Sequence, residues 1–177
     1  MLERRVNYFE IFHLPIAFEL DSVELASRYR QLQQQYHPDK FAAASEADRS
    51  RALQWAAEIN AAFNTLKEPV ARAEYLLSLQ GLEIRGEQQT LQDLDFLEQQ
   101  WAWREALEAL PAATAPLLAS ANLAEELSLT QRQMQTALSQ TLAAGEWPAA
   151  ADWVRKLKFM AKLQLELERL EDSLLDD

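Results

Sequence analysis

The final stretch of the sequence, which begins near Pro148, has the pattern that most restricts the fold. Large apolar side chains recur there in steps of three and four residues: Trp153, Leu157, Met160, Leu163, Leu167, Leu170 and Leu174. Such spacing places a continuous apolar seam on one side of a helix, as in a bundle or coiled coil. Other helices must cover that seam. The chain contains only three glycines, a composition that favours helices throughout. The sequence therefore predicts an all-α protein.

Two helices are predicted upstream of this seam. The start of the first is marked by apolar residues at Leu94, Leu97, Trp101 and Leu107. The segment PAATAP (111–116) interrupts it, and a second helix covers roughly 117–143 and stops near Gly145. Together with the final helix they predict an antiparallel three-helix bundle over residues 91–177.

A hairpin of two amphipathic helices is predicted in the first half of the chain. Asp21 and Glu24 have the spacing of a capping box, and an apolar face follows at Leu25, Tyr29, Leu32 and Tyr36. Pro38 ends this helix because its ring disfavours helical geometry at the preceding residue. A second capping pair, Ser45 and Asp48, starts a helix over 46–67.

Shorter helices flank the hairpin. The segment NYFEIFHLP (7–15) has room for one or two turns, and Pro69 suits the first turn of a helix that Gly81 can close. Residues 81–90 hold two of the three glycines and no helical stripe, so we expect a boundary there between residues 1–80 and 91–177. Residues 1–80 carry 9 basic and 11 acidic side chains, a net of −2, whereas residues 81–177 carry 8 and 17, a net of −9. The two halves are therefore expected to meet different partners.

Composition excludes several classes of function. A formal net charge of −11 argues against binding nucleic acid, whose phosphates require clustered Lys and Arg. The absence of cysteine excludes disulfides and thiolate ligands from this chain, and two histidines are too few for a His-rich metal site. No apolar run approaches the roughly 18 residues of a membrane span, and the N-terminus lacks the apolar core of a signal peptide. We expect a soluble cytoplasmic protein with no cofactor.

The tripeptide His37-Pro38-Asp39 lies between the two helices of the predicted hairpin. A general acid or base needs a supporting partner and a pocket that shifts its pKa, and no Gly-rich phosphate loop or Ser/Cys nucleophile accompanies these residues. We therefore expect no enzymatic activity. A turn that Asp39 tethers would explain the tripeptide structurally, and an exposed signal for another protein would explain it functionally. Three residues alone leave both interpretations open.

The surrounding sequence resembles the J domain, a module of co-chaperones that act on DnaK-type ATPases. Three segments carry the resemblance: NYFEIFHLP (7–15), YRQLQQQYHPDK (29–40) and INAAFNTLKEPVARAEYL (59–76). The resemblance implies that His37, Pro38 and Asp39 contact the chaperone and trigger its ATP hydrolysis. A proline in the loop reduces the entropy lost on docking.

Positive charge beside this loop predicts an acidic docking surface on the chaperone. Arg28, Arg30 and Lys40 lie close to it in sequence and would steer association electrostatically. Each of these cations could equally be solvated helix surface. Helical spacing places Gln31 and Gln35 on the same face as Arg28, opposite the apolar stripe.

Over its full length the chain resembles the HscB family, the co-chaperones of iron–sulfur cluster biogenesis. The segments that carry this resemblance are YHPDKF (36–41), RAEYLLSLQG (72–81) and AADWVRKLKFMAKL (150–163). The resemblance implies a C-terminal bundle that binds an iron–sulfur scaffold protein of the IscU type and brings it to a specialised DnaK-like ATPase of the HscA type. The implied scaffold contacts are Leu97, Glu98, Trp101, Glu105 and Phe159.

The acidic and apolar character of this region supports a docking surface. Residues 91–127 carry seven acidic side chains and one basic one, which suits a basic partner, although Leu97 and Trp101 could also be bundle core. The sequence departs from the family pattern at Glu98, where an apolar residue is common, and at Ala102 and Ala109, where acids are common. The alternatives are a general J protein that presents unfolded chains to a housekeeping chaperone, and a purely structural helical protein.

Overall fold

The computed structural model describes residues 6–41, 43–84 and 93–176, and every regular element within them is helical. This confirms the predicted all-α fold. The chain divides into two compact units, Met1–Leu79 and Gln80–Asp177. Most of the boundary predicted at 81–90 lies outside the described residues, which resume at Asp93.

The first unit contains four α-helices and one 3₁₀ turn. The helices are α1 (Tyr8–Ile11), α2 (Ser22–Gln35), α3 (Glu46–Lys67) and α4 (Pro69–Leu79), and the 3₁₀ turn between α2 and α3 is Pro38–Phe41. These bounds agree with the predicted hairpin and its flanking helices, and Gly81 follows α4 with a φ of +79°.

Side-chain caps explain where α1 and α2 begin. A capping box that the sequence reasoning missed starts α1: the Asn7 side chain accepts the Glu10 backbone N–H at 2.9 Å, and the Glu10 carboxylate accepts the Asn7 N–H at 3.1 Å. Asp21 caps α2 by accepting the backbone N–H of Glu24 at 3.0 Å. The full capping box predicted there is wrong, because the Glu24 carboxylate bonds to Arg28 instead.

The hairpin of α2 and α3 holds the core of the first unit together. Tyr29 of α2 stacks on Phe63 of α3 with ring centroids 3.9 Å apart, and Leu25, Ile59 and Leu66 of the same two helices are buried. Removing such side chains from water is the main favourable term in folding. The stacked pair fixes the two helices side by side and so positions the loop that joins them.

Tyr75 attaches α1 to α4. Its ring stacks on that of Tyr8 at a centroid distance of 4.5 Å, and its hydroxyl oxygen accepts the Tyr8 backbone N–H at 3.0 Å. This N–H belongs to the first turn of α1 and has no intrahelical acceptor. Burial raises the pKa of the Tyr75 phenol, as expected for a hydroxyl that is neutral and partly withdrawn from water.

The second unit is the predicted three-helix bundle. It consists of α5 (Leu94–Ala109), a 3₁₀ turn (Leu110–Ala112), α6 (Pro116–Ala143) and α7 (Trp147–Asp176). Gly145 has a φ of +71°, a left-handed conformation that glycine adopts without a Cβ penalty, and it reverses the chain between α6 and α7. None of the described helices is both long enough and apolar enough to span a bilayer.

The apolar seam of α7 is buried over most of its length. Leu157, Met160, Leu163 and Leu167 are all nearly inaccessible to solvent. Leu170, towards the end of the helix, is only half-buried. The predicted seam therefore forms the centre of the bundle.

On α5 only part of the stripe that marked this helix in the sequence is buried: Leu107 is buried and Leu97 is half-buried. Phe96, Trp103 and Leu107 face the bundle, whereas Leu94 and Trp101 are 73% and 79% exposed. Phe96 and Trp103, which the predicted stripe left out, pack against Phe159 of α7. Leu94 and Trp101 are consequently surface residues, and the interpretation of Trp101 as bundle core is wrong.

Candidate functional site

The His37-Pro38-Asp39 loop projects both of its polar side chains into solvent. The His37 side chain is 57% exposed and that of Asp39 is 91% exposed. The loop is nevertheless ordered: the His37 carbonyl accepts the Lys40 N–H at 3.0 Å, and His37 Nδ1 accepts the Asp39 N–H at 3.3 Å. Local hydrogen bonds thus fix a loop whose functional groups remain free to contact another molecule. The side chain of Pro38 is outside what the structure describes.

This arrangement fits recognition better than catalysis. His37 Nδ1 lies 3.5 Å from a carboxylate oxygen of Asp39, but both groups are open to water. A reacting pair usually sits in an enclosed pocket that excludes water and tunes its proton affinity. Among the residues that the structure describes, no cluster of His, Asp and Glu could hold a metal ion.

Arg28, on the same helix as Arg30, has a structural role. Its Nη1 donates to the carbonyl oxygens of Phe12 and His13, both at 2.6 Å, and its Nη2 bonds to Glu24. Both carbonyls lie just after the C-terminal end of α1, where His13 adopts a φ of +52°. Carbonyls at a helix end lack intrahelical donors, and Arg28 supplies the hydrogen bonds to these two. The guanidinium predicted to steer a partner is therefore already committed within the chain.

A cleft between α2 and α3 brings together most of the other predicted chaperone contacts. Its volume is about 1090 Å³, and its lining includes Arg30, His37, Asp39 and Lys40. Buried Ile59 also lines it, together with other apolar groups of α3. The cleft therefore combines an apolar surface with two cations and the His37–Asp39 loop at one end of the hairpin. Gln31 and Gln35 are exposed on α2 but do not line it.

The exposed face of α5 brings together four of the five predicted scaffold contacts. Trp101 has 79% of its surface exposed, Leu97 is half-exposed, and Glu98 and Glu105 are open to solvent. The two glutamates form no ion pair with any described residue. Exposed aromatic and aliphatic groups beside uncompensated acids are typical of a protein-docking surface. Ala102 and Ala109, where the family pattern favours acids, are also exposed.

Phe159, the fifth predicted contact, is half-buried in an aromatic cluster with Phe96 and Trp103 of α5. Its ring centroid lies 5.8 Å from that of Phe96 and 6.4 Å from that of Trp103. The Arg104 guanidinium lies 5.7 Å from the same centroid. Phe159 thus joins α7 to α5, and only part of its ring is available to a partner.

Sequence reasoning missed two polar contacts that hold α5 in the bundle. Trp103 Nε1 donates to Glu126 of α6 at 2.9 Å. Lys156 of α7 is only 8% exposed, and its ammonium group bonds to Asp93, the N-cap of α5. The position of Lys156, three residues after Trp153 in the apolar seam, was the available signal, and its ammonium group lies 4.4 Å from the Trp153 ring.

Comparisons with known proteins agree with this two-part geometry. A family model described as DnaJ domain matches residues 7–75. A second, described as HSCB C-terminal oligomerisation domain, matches residues 92–168. A chain that joins these two domains is a J-domain co-chaperone.

Individual relatives identify the family. The chain is 56% identical to the co-chaperone protein HscB homolog of Aeromonas hydrophila over 171 residues, which cover 97% of this chain and 99% of the relative. The solved structure of chaperone HscB from Vibrio cholerae is 54% identical and superposes with a TM-score of 0.91 over 95% of this chain and 99% of that one. The chain therefore belongs to the HscB family. The human co-chaperone HscB, at 23% identity, 96% and 84% coverage and a TM-score of 0.89, shares the fold.

Proposed function

We propose that this protein binds an iron–sulfur scaffold protein of the IscU type, delivers it to a DnaK-like ATPase of the HscA type and stimulates ATP hydrolysis by that ATPase. The observation that carries the proposal is the pair of exposed surfaces, the His37–Asp39 loop in the first unit and the α5 face in the second. Residues 1–80 then act as the J module and residues 91–177 as the scaffold-binding module. The proposed compartment is the cytoplasm.

The loop is suited to contacting the ATPase because it needs little rearrangement. Its backbone is already hydrogen-bonded in the 3₁₀ turn Pro38–Phe41, so docking sacrifices little conformational entropy. Arg30 and Lys40 line the adjacent cleft and favour an acidic partner surface. Arg28 contributes to this surface indirectly, by holding α1 against α2.

The α5 face is suited to contacting a folded scaffold protein. Trp101 offers a large apolar surface of the type that dominates binding energies, and Glu98 and Glu105 beside it favour a basic rim on the scaffold. The partly exposed edge of Phe159 adds a smaller apolar contact. This pairing of one exposed aromatic side chain with flanking acids supports a folded partner that carries one matching patch.

The function of the loop can be tested with the two histidines of the chain. His37→Gln should abolish ATPase stimulation while scaffold binding and the melting temperature stay unchanged, because the side chain is exposed. His13→Asn is the control, since asparagine tolerates the positive φ of that position. Retained stimulation by the His37 variant would show that the loop does not trigger hydrolysis.

The α5 site can be tested with two tryptophans that differ in burial. Trp101→Ala should weaken scaffold binding, measured by calorimetry, by roughly 1–3 kcal/mol with little loss of folding stability. Trp103→Ala should lower the free energy of unfolding by about 3–5 kcal/mol, because Trp103 is only 2% exposed. A folded Trp101 variant that binds scaffold normally would reject Trp101 as an anchor.

The alternative function is that of a general J protein for unfolded clients. ATPase turnover with the cognate chaperone separates the two possibilities. The proposal expects synergistic stimulation by this protein and the folded scaffold. Equal synergy with a permanently unfolded polypeptide would favour the alternative.

A further inference from the structure

The hydrogen bonds inside the His37–Asp39 loop fix its shape but not its direction relative to the helices. The Lys40 N–H donates to the His37 carbonyl and the Asp39 N–H donates to the His37 ring, so both bonds begin and end within four residues. These three residues are exposed, and water competes with their hydrogen bonds. Contacts with a helix outside the loop are therefore needed to fix its direction.

Such a contact comes from aromatic side chains that flank the loop. Tyr36 caps the C-terminal end of α2 directly before His37, and Phe41 is the last residue of the 3₁₀ turn. The Tyr36 ring meets that of Trp55 on α3 with centroids 6.1 Å apart and planes at 82°, an edge-to-face geometry that aromatic pairs prefer. Tyr36, Phe41 and Trp55 also line one cleft of about 660 Å³. Trp55 therefore lies beside the residues that precede and follow the loop.

Trp55 contributes little to the core of the first unit. Ile59 and Leu66, further along α3, are both fully buried, whereas Trp55 is only half-buried. The ring contact of Trp55 instead joins α3 to the residue before His37. The Trp55 side chain can therefore be changed while the buried core of the hairpin stays in place.

We propose that Trp55 is a positioning residue, which packs against Tyr36 and so holds the His37–Asp39 loop in the orientation that the ATPase recognises. This inference rests on the proposed function, in which the loop contacts the ATPase. Trp55 acts before docking: it orders the loop in the free protein, so that less conformational entropy is lost when the ATPase binds. Once docked, the loop makes the same contacts with or without Trp55. Loss of the ring should therefore raise the concentration that gives half-maximal stimulation and leave the maximal stimulated rate unchanged.

Trp55→Leu and Trp55→Phe form the informative pair of full-length variants. Both keep an apolar side chain in the cleft, but only phenylalanine keeps a ring for Tyr36. In titrations of the DnaK-like ATPase, Trp55→Leu should raise the half-saturating concentration about fivefold and Trp55→Phe less than about twofold. His37→Gln should instead abolish the stimulation at every concentration. Asn64→Ala, at an exposed position further along α3, is the control and should titrate like the unmodified protein.

Amide hydrogen exchange, followed by NMR, tests the positioning role without the ATPase. The Lys40 N–H bonds to the His37 carbonyl at 3.0 Å, and the Ala44 N–H bonds to the Phe41 carbonyl at 2.9 Å. Both should exchange about fivefold faster in Trp55→Leu than in Trp55→Phe, because a loop without the ring contact opens more often. Amides of α6 should exchange at the same rate in both variants.

The outcomes separate this inference from the proposed function. If Trp55→Leu and Trp55→Phe titrate alike, or if Trp55→Leu lowers the maximal rate, the positioning role is wrong, and the proposed function stands as long as His37→Gln abolishes stimulation. If Trp55→Leu raises the half-saturating concentration but the exchange of Lys40 and Ala44 is unchanged, Trp55 contacts the ATPase directly and does not position the loop. If His37→Gln stimulates normally, both proposals fail. Melting curves complete the test, because an unfolded Trp55→Leu variant would make Trp55 a core residue and refute the inference.

Discussion

Replacing Arg28 with methionine tests whether this arginine stabilises the fold or contacts the chaperone. The change keeps an apolar stem but removes the donors to the carbonyls of Phe12 and His13, each 2.6 Å away. Hydrogen bonds that involve a charged donor contribute about 1.5–3 kcal/mol each. The side chain is 31% exposed, so water replaces part of this loss, and the exposed pair with Glu24 adds little. We expect local stability to fall by about 2–3 kcal/mol.

Hydrogen exchange of the full-length protein, followed by mass spectrometry, measures this effect where it occurs. A loss of that size should accelerate exchange in α1 by roughly 30-fold to 150-fold, since 1.4 kcal/mol corresponds to a factor of ten. Peptides from α6 and α7 should exchange unchanged and serve as an internal control. Arg30→Met is the matched variant: Arg30 is exposed, so exchange should be unaffected while association with the chaperone slows.

The opposite result would refute the structural role of Arg28. If Arg28→Met leaves α1 protected and slows association as much as Arg30→Met does, the guanidinium belongs to the docking surface. If both variants associate normally at low salt, neither cation steers the chaperone.

Three further changes test features within a single unit: Tyr75 in the first, and Asp93 and Gly145 in the second. The hydrogen bonds from Lys156 and from the Phe96 N–H lower the pKa of Asp93 below its ordinary 3.8. The stability that the Asp93 carboxylate contributes is therefore present above pH 3.8 and is lost as the pH falls through the lowered pKa. Asp93→Asn should lower the melting temperature at pH 7, and the melting temperature of this variant should decline less in acid than that of the unmodified protein. Tyr75→Phe should cost about 1–2 kcal/mol in urea unfolding, because the Tyr8 N–H loses its acceptor. Gly145→Ala should cost about 1–2 kcal/mol in the same assay, because its φ is +71°; an unchanged unfolding midpoint would show that this turn does not require glycine.

Local signals in the sequence were sufficient to predict the helices. Asp21 and Ser45 start α2 and α3 by capping their first turns, and the region around Pro38 ends α2, because these effects act within three or four residues of the chain. The periodicity of α7 likewise predicted the centre of the bundle. The resemblance of the segments around His37 and Phe159 predicted the family, which the full-length relatives confirm.

Only the tertiary structure decided which side of α5 is buried. Trp101 and Trp103 are two residues apart, and either of them could lie on an apolar stripe with helical spacing. In the structure Trp103 is buried against Phe159 and bonds to Glu126, whereas Trp101 is exposed to solvent. Which face of α5 is buried depends on the side chains of α6 and α7 that pack against it. The local sequence of α5 holds no information about those side chains.

Tertiary contacts also decided the roles of individual charges. By sequence Arg28 and Arg30 were equivalent cations of one helix, yet Arg28 reaches back to the carbonyls of Phe12 and His13 whereas Arg30 lines the cleft. Long flexible side chains can reach partners that are distant in the chain, and folding places the carbonyls of Phe12 and His13 within reach of Arg28. Short-range physics therefore determined the helices of this protein, and the packing between them determined which of their residues remain available to other molecules.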